Sequence, residues 1–179
     1  MGNEVIHIYG ASGSGTSTLG RCVSDKLGYH FMDTDDYFWE PTNPPYICKR
    51  KISERLALMR ADIEKWGKVV ISGSLAGWGD ELIPLFTFVI RLKTDTSVRI
   101  DRLKKRERAR FGSRLDIGGD MYEHHQEFIE WAAGYDDAGL CTRSKAKHDA
   151  WQKLLQCRQI ELDGSESLEH NLDIIKEYL

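Results

Sequence analysis

Strand and helix patterns alternate along this chain and predict an α/β protein of three layers. A five-stranded parallel sheet is flanked by helices, and a long, mostly charged helical stretch precedes the last strand. Three observations carry that expectation. Apolar runs of strand length recur at Val5–Tyr9, Lys68–Ile71 and Phe86–Leu92, as suits strands covered on both faces. A stripe at Ile52, Leu56, Met59 and Ile63 has helical spacing and lies between two of them. A glycine-rich segment, Gly10–Thr18, joins the first run to a helix that Leu19 and Val23 mark.

The elements follow in order. The first strand, Val5–Tyr9, runs into the glycine-rich segment and its helix. A second strand, Tyr29–Met32, ends at the acidic cluster Asp33–Asp36. Pro41, Pro44 and Pro45 exclude helix and central strand from the loop that follows. The helix marked by Ile52–Ile63 ends near Gly67, and Lys68–Ile71 leads into Ser72–Ser74. After the fourth strand, Phe86–Leu92, a charged helix runs from Thr96 to about Arg108. Gly118 and Gly119 break the helical pattern, and Asp120 with Glu123 predicts a capped start for a helix over 121–133. A helix over 143–156, a fifth strand at Arg158–Leu162 and a closing helix over 166–178 complete the chain. Ligands gather at the C-terminal ends of strands in such sheets. Gly10–Ser17, Asp33–Asp36 and Ser72–Trp78 therefore converge on one edge.

Composition bounds the function. At 179 residues the chain predicts one well-cored domain, 1–179. Its 41% hydrophobic and 30% charged residues exclude a disordered chain. A net charge of −3 offers no overall attraction to nucleic acid or an anionic membrane. No apolar stretch nears the roughly 20 residues that span a bilayer. The polar N-terminus lacks a signal-peptide pattern, so a cytoplasmic protein is expected. Cys22, Cys48, Cys141 and Cys157 lack C-x-x-C spacing and read as free thiols rather than a disulfide framework or zinc site.

Gly10–Thr18 satisfies the phosphate-loop pattern G-x-x-x-x-G-K-[ST] except that Thr16 stands where the lysine belongs. Backbone N–H groups and the helix N-terminus favour an anion, so Gly10, Ser12, Gly13, Ser14, Gly15, Thr16, Ser17 and Thr18 are the nucleotide-binding candidates. The Ser17 hydroxyl is placed to hold Mg²⁺. The missing lysine removes a point charge that matters more for phosphoryl transfer than for docking. Arg21 lies one turn after Ser17, but helical side chains lean back rather than forward over the loop. His124, His125 and His148 lack metal-ligand spacing, while Trp131 and Trp151 lie on apolar helix faces and are expected in the core.

With these residues, the chain resembles the P-loop kinases of the nucleoside monophosphate kinase and shikimate kinase superfamily. The resemblance implies a three-layer P-loop NTPase fold with ATP and Mg²⁺ as cofactors. Asp33-Thr34-Asp35 is similar to the Asp-x-Asp of shikimate and gluconate kinases. The resemblance implies that Asp33 helps to hold Mg²⁺ and that Asp35 binds the acceptor hydroxyl. Asp36-Tyr37-Phe38 resembles an element of uridine kinase-like enzymes, which makes Asp36 a rival base. Ser72-Gly73-Ser74 is loosely similar to the shikimate kinase loop, and Trp78 could wall the acceptor. Arg102 and Arg106 share the spacing that opens an adenylate kinase-like lid. Tyr135-Asp136-Asp137 with Arg143 resembles the lid's return, and Asp163-Gly164-Ser165 the loop that packs on adenine.

The expectation is a Mg²⁺-dependent phosphotransferase that moves a phosphoryl group from ATP to a small acceptor, either a nucleotide or a small alcohol. Residues 34–66 would form the acceptor segment and 106–143 the lid. Asp35 or Asp33 would orient or deprotonate the acceptor oxygen, and Arg106, Arg110, Arg114 and Arg143 would close over the transferring group. Lys49, Arg50, Lys51 and Arg55 supply cations for a phosphate-bearing acceptor. The alternative is a nucleotide-binding module with little transfer activity, its lysine lost. A nucleic-acid-associated NTPase is a weaker rival.

Overall fold

A computed structural model describes residues 2–179. Five strands, β1 (Glu4–Gly10), β2 (His30–Asp33), β3 (Lys68–Ser72), β4 (Phe88–Lys93) and β5 (Arg158–Asp163), form one parallel sheet in the order β2-β3-β1-β4-β5. The helices are α1 (Thr16–Leu27), α2 (Thr34–Phe38), α3 (Ile52–Trp66), α4 (Thr96–Phe111), α5 (Tyr122–Ala133), α6 (Lys145–Gln152) and α7 (Leu168–Glu177).

Alternation along the strands builds two cores. Ile6, Ile8, Val70 and Ile90 face Leu19 and Val23 of α1 and Leu172 and Ile175 of α7. Val5, Tyr9, Val69 and Ile71 turn to the other face and pack on Leu56, Met59 and Ile63 of α3 and Trp151 of α6. Each buried aliphatic side chain contributes about 1.5–3 kcal/mol, so the two layers specify which helix lies where. A third, small cluster of Phe111, Leu115 and Met121 joins the end of α4 to the start of α5.

Register brings the chemistry to one edge. Asp33 pairs with Ser72, and Ile8 pairs with the same Ser72, so β1, β2 and β3 end side by side. The sheet order reverses about β1, which opens a crevice where the glycine-rich segment emerges. Gly73 lets the loop after β3 approach the acidic cluster: its φ is +112°, and a Cβ there would lie 1.9 Å from Thr34 Oγ1.

Several local expectations need correction. The charged helix continues past Arg108 to Phe111 and ends at Gly112, before the Gly118–Gly119 pair. Asp120 does not cap α5, which starts from Met121 without a side-chain cap. Asp120 instead accepts from Arg114 Nε and Nη2 at 2.8 and 2.6 Å, because a bidentate ion pair outcompetes a single cap bond. The helix expected over 143–156 is α6, shortened because Ser144 caps it through Lys147 N at 3.0 Å. Trp151 is core, but Trp131 is only half-buried. Among the described residues no helix is long and apolar enough to cross a membrane, and all four cysteines are free.

Candidate active site

The glycine-rich segment wraps the N-terminus of α1. Gly13 and Gly15 adopt φ of +82° and +101°. Gly15 caps α1 with no side-chain hydrogen bond, and no acidic residue occupies the first turn. The free N–H groups and the helix dipole therefore point at an anion position. Neighbouring backbone presses the loop into this shape. A Cβ on Gly13 would lie 2.6 Å from Arg99 O, and one on Gly164 2.3 Å from Ser14 O.

Asp33 joins this loop to the acidic cluster. It caps α2 by accepting from Asp35 N at 3.1 Å, while its other oxygen accepts from Ser17 Oγ at 2.9 Å. A hydroxyl and a carboxylate oxygen thus share one spot beside the phosphate cradle. Hard oxygen donors of this kind suit Mg²⁺, which takes one or two protein ligands and completes its shell with phosphate oxygens and water. Among the described residues no group of three or more His, Cys, Asp or Glu side chains is arranged to hold a metal ion.

Asp35 lies on the neighbouring turn. It is reached by solvent through the open cleft but walled by protein, and burial raises its carboxyl pKa. The charge of Asp33 adds to that rise, while Arg143 and Arg106 oppose it. Asp36 is shifted the same way, by burial and then Asp33. Asp35 is thus the carboxylate that both arginines attend.

Arg143 arrives from the lid return. Its Nη2 donates to Ser12 Oγ in the phosphate loop, and its guanidinium stacks 4.7 Å from the Trp131 ring centroid. Trp131 is fixed in turn by donating to Thr142 Oγ1 at 2.9 Å. Arg106 reaches Glu107 at 3.2 Å and lies exposed at the cleft mouth. Arg110 and Arg114 are not brought to the phosphate loop. Arg110 donates to Tyr46 OH and covers that ring, linking the lid base to the Pro-rich loop, and Arg114 is held by Asp120.

No basic side chain replaces the lysine from within the loop. Thr16 begins α1, Thr18 is exposed, and Arg21 lies 4.3 Å over the Phe31 ring. Arg102 instead borders the loop from α4, donating to Gly164 O at 3.0 Å.

Of the four expected acceptor cations, Lys49 and Lys51 are solvent-exposed. Arg50 braces the α2 backbone through Asp36 O and Tyr37 O at 3.1 and 2.8 Å. Arg55 is buried, with its guanidinium 3.7 Å from the Phe38 ring and 5.2 Å from Trp78. Among the described residues no carboxylate pairs with it. A cavity of about 610 Å³ flanks the loop at Ala11, bounded by Thr94, Tyr135, Asp136 and Ser165.

Sequence reasoning missed Arg99. It is 1% exposed and donates to Thr94 O, Ser12 O and Ala132 O at 3.1, 3.3 and 3.2 Å. It also pairs with Asp136 at 3.3 Å. The signal was present: Arg99, Leu103, Glu107 and Phe111 recur every four residues and form the buried face of α4.

Comparison with known proteins agrees with this geometry. The chain is 40% identical over 177 residues to YqaC, an uncharacterized protein of Bacillus subtilis, covering 97% of this chain and 96% of that one. It is 32% identical over 114 residues to a cytidylate kinase of Methanothrix thermoacetophila, covering 58% of this chain and 63% of that protein. The fold matches a shikimate kinase from Acinetobacter baumannii solved in complex with shikimate. Its TM-score is 0.54 at 16% identity, covering 98% of this chain and 94% of that one. The family model described as "AAA domain" matches residues 6–116, from β1 through the lid base. The chain therefore belongs to the AAA-domain family of P-loop proteins and has the P-loop nucleoside and small-molecule kinase fold.

Proposed function

We propose that this protein is an ATP-dependent, Mg²⁺-requiring phosphotransferase acting on a small acceptor. The observation that carries this reading is the 2.9 Å hydrogen bond between Ser17 and Asp33, which fastens the phosphate cradle to the acidic cluster.

The backbone N–H groups from Ser12 to Thr18 hold the nucleotide phosphates, and the cavity beside Ala11 and Ser165 has the volume for the rest of a nucleoside. Ser17 and Asp33 are the residues that would hold Mg²⁺, which neutralises charge developing on the phosphates. Asp35 orients the acceptor hydroxyl and takes its proton, with Asp36 the alternative base. The raised pKa of Asp35 moves it towards the operating pH, where a general base works best. Arg143 and Arg106 balance the charge that the missing lysine would have met. Arg110 and Arg114 close the outer lid, within the segment 106–143. Within 34–66, Arg55 offers an acceptor a guanidinium that lies over the Phe38 ring beside Trp78, donates to Arg50 O at 2.7 Å and has no carboxylate partner among the described residues. That environment favours an acceptor bearing phosphate or carboxylate.

The absence of a cation at Thr16 favours a second reading, a nucleotide-binding module without transfer. Thermal unfolding with millimolar Mg²⁺-ATP, followed by ATP turnover across a panel of acceptors, separates the two. At ~100 times the dissociation constant ATP adds about 2.7 kcal/mol, a shift of roughly 5–10 °C. The enzyme shows turnover that Ser17→Ala lowers at least ~100-fold. Binding with equal, background turnover in both proteins leaves the module. No shift with any nucleotide removes both readings.

A further inference from the structure

A buried histidine joins the two sides of the cleft. His148, on α6, is wholly buried. Its Nδ1 lies 2.8 Å from Tyr135 OH and its Nε2 2.8 Å from Ser74 Oγ. Its ring meets Tyr9 edge-on at 5.1 Å, so it has no room to turn. Burial pushes its pKa down to about 3, with the charges of Arg143 and Arg91 acting in the same direction. The imidazole is therefore neutral at ordinary pH, with one donor and one acceptor nitrogen. Hydroxyls on both sides can take either role, so both bonds form in either tautomer.

Tyr135 and Ser144 bracket the loop that carries Arg143, and Lys145 N closes its base on Tyr135 O at 2.8 Å. Ser144 Oγ spans the loop to Gly139 O at 2.8 Å. These bonds shape the loop but do not attach it to the sheet. The tip, with Leu140 61% exposed, is not anchored by burial. Ser74 lies on the loop after β3, and its carbonyl accepts from Trp78 Nε1 at 3.0 Å, beside Arg55.

Resting on the nucleotide-binding reading above, we infer that His148 is a positioning residue. It bolts the Arg143-bearing loop to the acceptor-side loop after β3, and so fixes where the Arg143 guanidinium meets the phosphate loop.

The test is a double-mutant cycle on Mg²⁺-ATP affinity, measured by calorimetry with apo unfolding temperatures recorded alongside. Arg143→Ala is expected to weaken ATP binding about 10-fold or more, the loss of one charge-assisted contact. His148→Ala is expected to weaken it about 5-fold, and the double variant no more than Arg143→Ala alone. Tyr135→Phe removes one hydroxyl, keeps the ring, and is expected to move affinity in the same direction. It carries the test if His148→Ala does not fold. A histidine that only fills the core would lower the unfolding temperature yet leave ATP affinity at the wild-type value, or give losses that multiply in the double variant. Either result with a binding-competent wild type overturns this inference alone. A wild type that binds no Mg²⁺-ATP overturns the nucleotide reading and this inference with it.

Discussion

Removing the Arg99 head tests whether the phosphate loop is held by a buried ion cluster. Arg99 touches the loop at Ser12 O, the β4–α4 turn at Thr94 O, and the lid return at Ala132 O and Asp136. Its ring-facing side stacks 5.1 Å from Tyr135. Truncation to alanine strands three carbonyls and leaves Asp136, 47% exposed, to be resolvated. An unsatisfied buried acceptor costs about 1–3 kcal/mol, and breaking a buried pair about 3–5 kcal/mol. Because water enters the vacated space and Asp136 is half open, the lower figures do not simply add, and about 3–5 kcal/mol is the expected loss. Unfolding entropy of ~2.1 cal/mol/K per residue gives about 0.38 kcal/mol/K for 179 residues. Arg99→Ala should therefore lower Tm by about 8–13 °C, read by circular dichroism without ligand. Arg99→Lys keeps the charge but not the fork, and is expected to recover less than half of that loss. A Tm within 3 °C of wild type for Arg99→Ala would refute the view that this guanidinium ties loop to lid.

Two further perturbations probe the loop and the base. Gly13→Ala puts a Cβ 2.6 Å from Arg99 O on a residue with φ +82°, so it should cost more than about 1 kcal/mol and abolish the Mg²⁺-ATP thermal shift. A wild-type shift in that variant would mean that the loop does not need its shape. Asp35 has its pKa raised on folding, so the folded state binds more protons and stability falls as pH rises from the ordinary aspartate range through the folded pKa. Asp35→Asn should accordingly raise the apo Tm at pH 7, with the gain gone below pH ~4, the ordinary aspartate range. A lower Tm at pH 7 would show that the arginines outweigh burial and the Asp33 charge.

The sheet was legible because strands buried on both faces must be nearly continuous apolar runs, as Val69–Ile71 is. Boundaries moved by a residue or two where a cap or a polar bond intervened. Phe86, for instance, lies in the core, but Thr87 bonds Val5 through its hydroxyl and backbone before the β4 ladder begins. The phosphate loop and the acidic cluster were visible as local strings at strand ends. The cations were not, because a charged helix face and a lined cleft read alike in sequence. Arg99, Arg106, Arg110 and Arg114 lie in one basic run, yet one is buried beneath the loop, one lies at the cleft mouth, one rests on Tyr46 and one is paired within the lid. Phase with Leu103 and Phe111 sets Arg99 apart, while Arg106, Arg110 and Arg114 recur every four residues and differ only in their tertiary partners. His148 lacks metal-ligand spacing, and its three-residue spacing from Trp151 puts both on the buried face of α6.

The substitution at Thr16 acquires a physical reading from where the remaining cations reside. A lysine in the loop would travel with α1 and stay beside the phosphates whatever the lid does. Here Arg102 comes from α4 and Arg143 from the lid return, and both reach the loop from outside it. Arg102 is held by Gly164 O, whereas the position of Arg143 depends on the segment between Tyr135 and Ser144. In the proposed reaction, the backbone cradle docks a nucleotide by itself with Arg102 beside it, while the charge of Arg143 joins only when the loop between α5 and α6 is seated. In that proposal, carrying Arg143 on the loop between α5 and α6 would link phosphoryl transfer to closure, which suits an enzyme that must not hand its phosphoryl group to water.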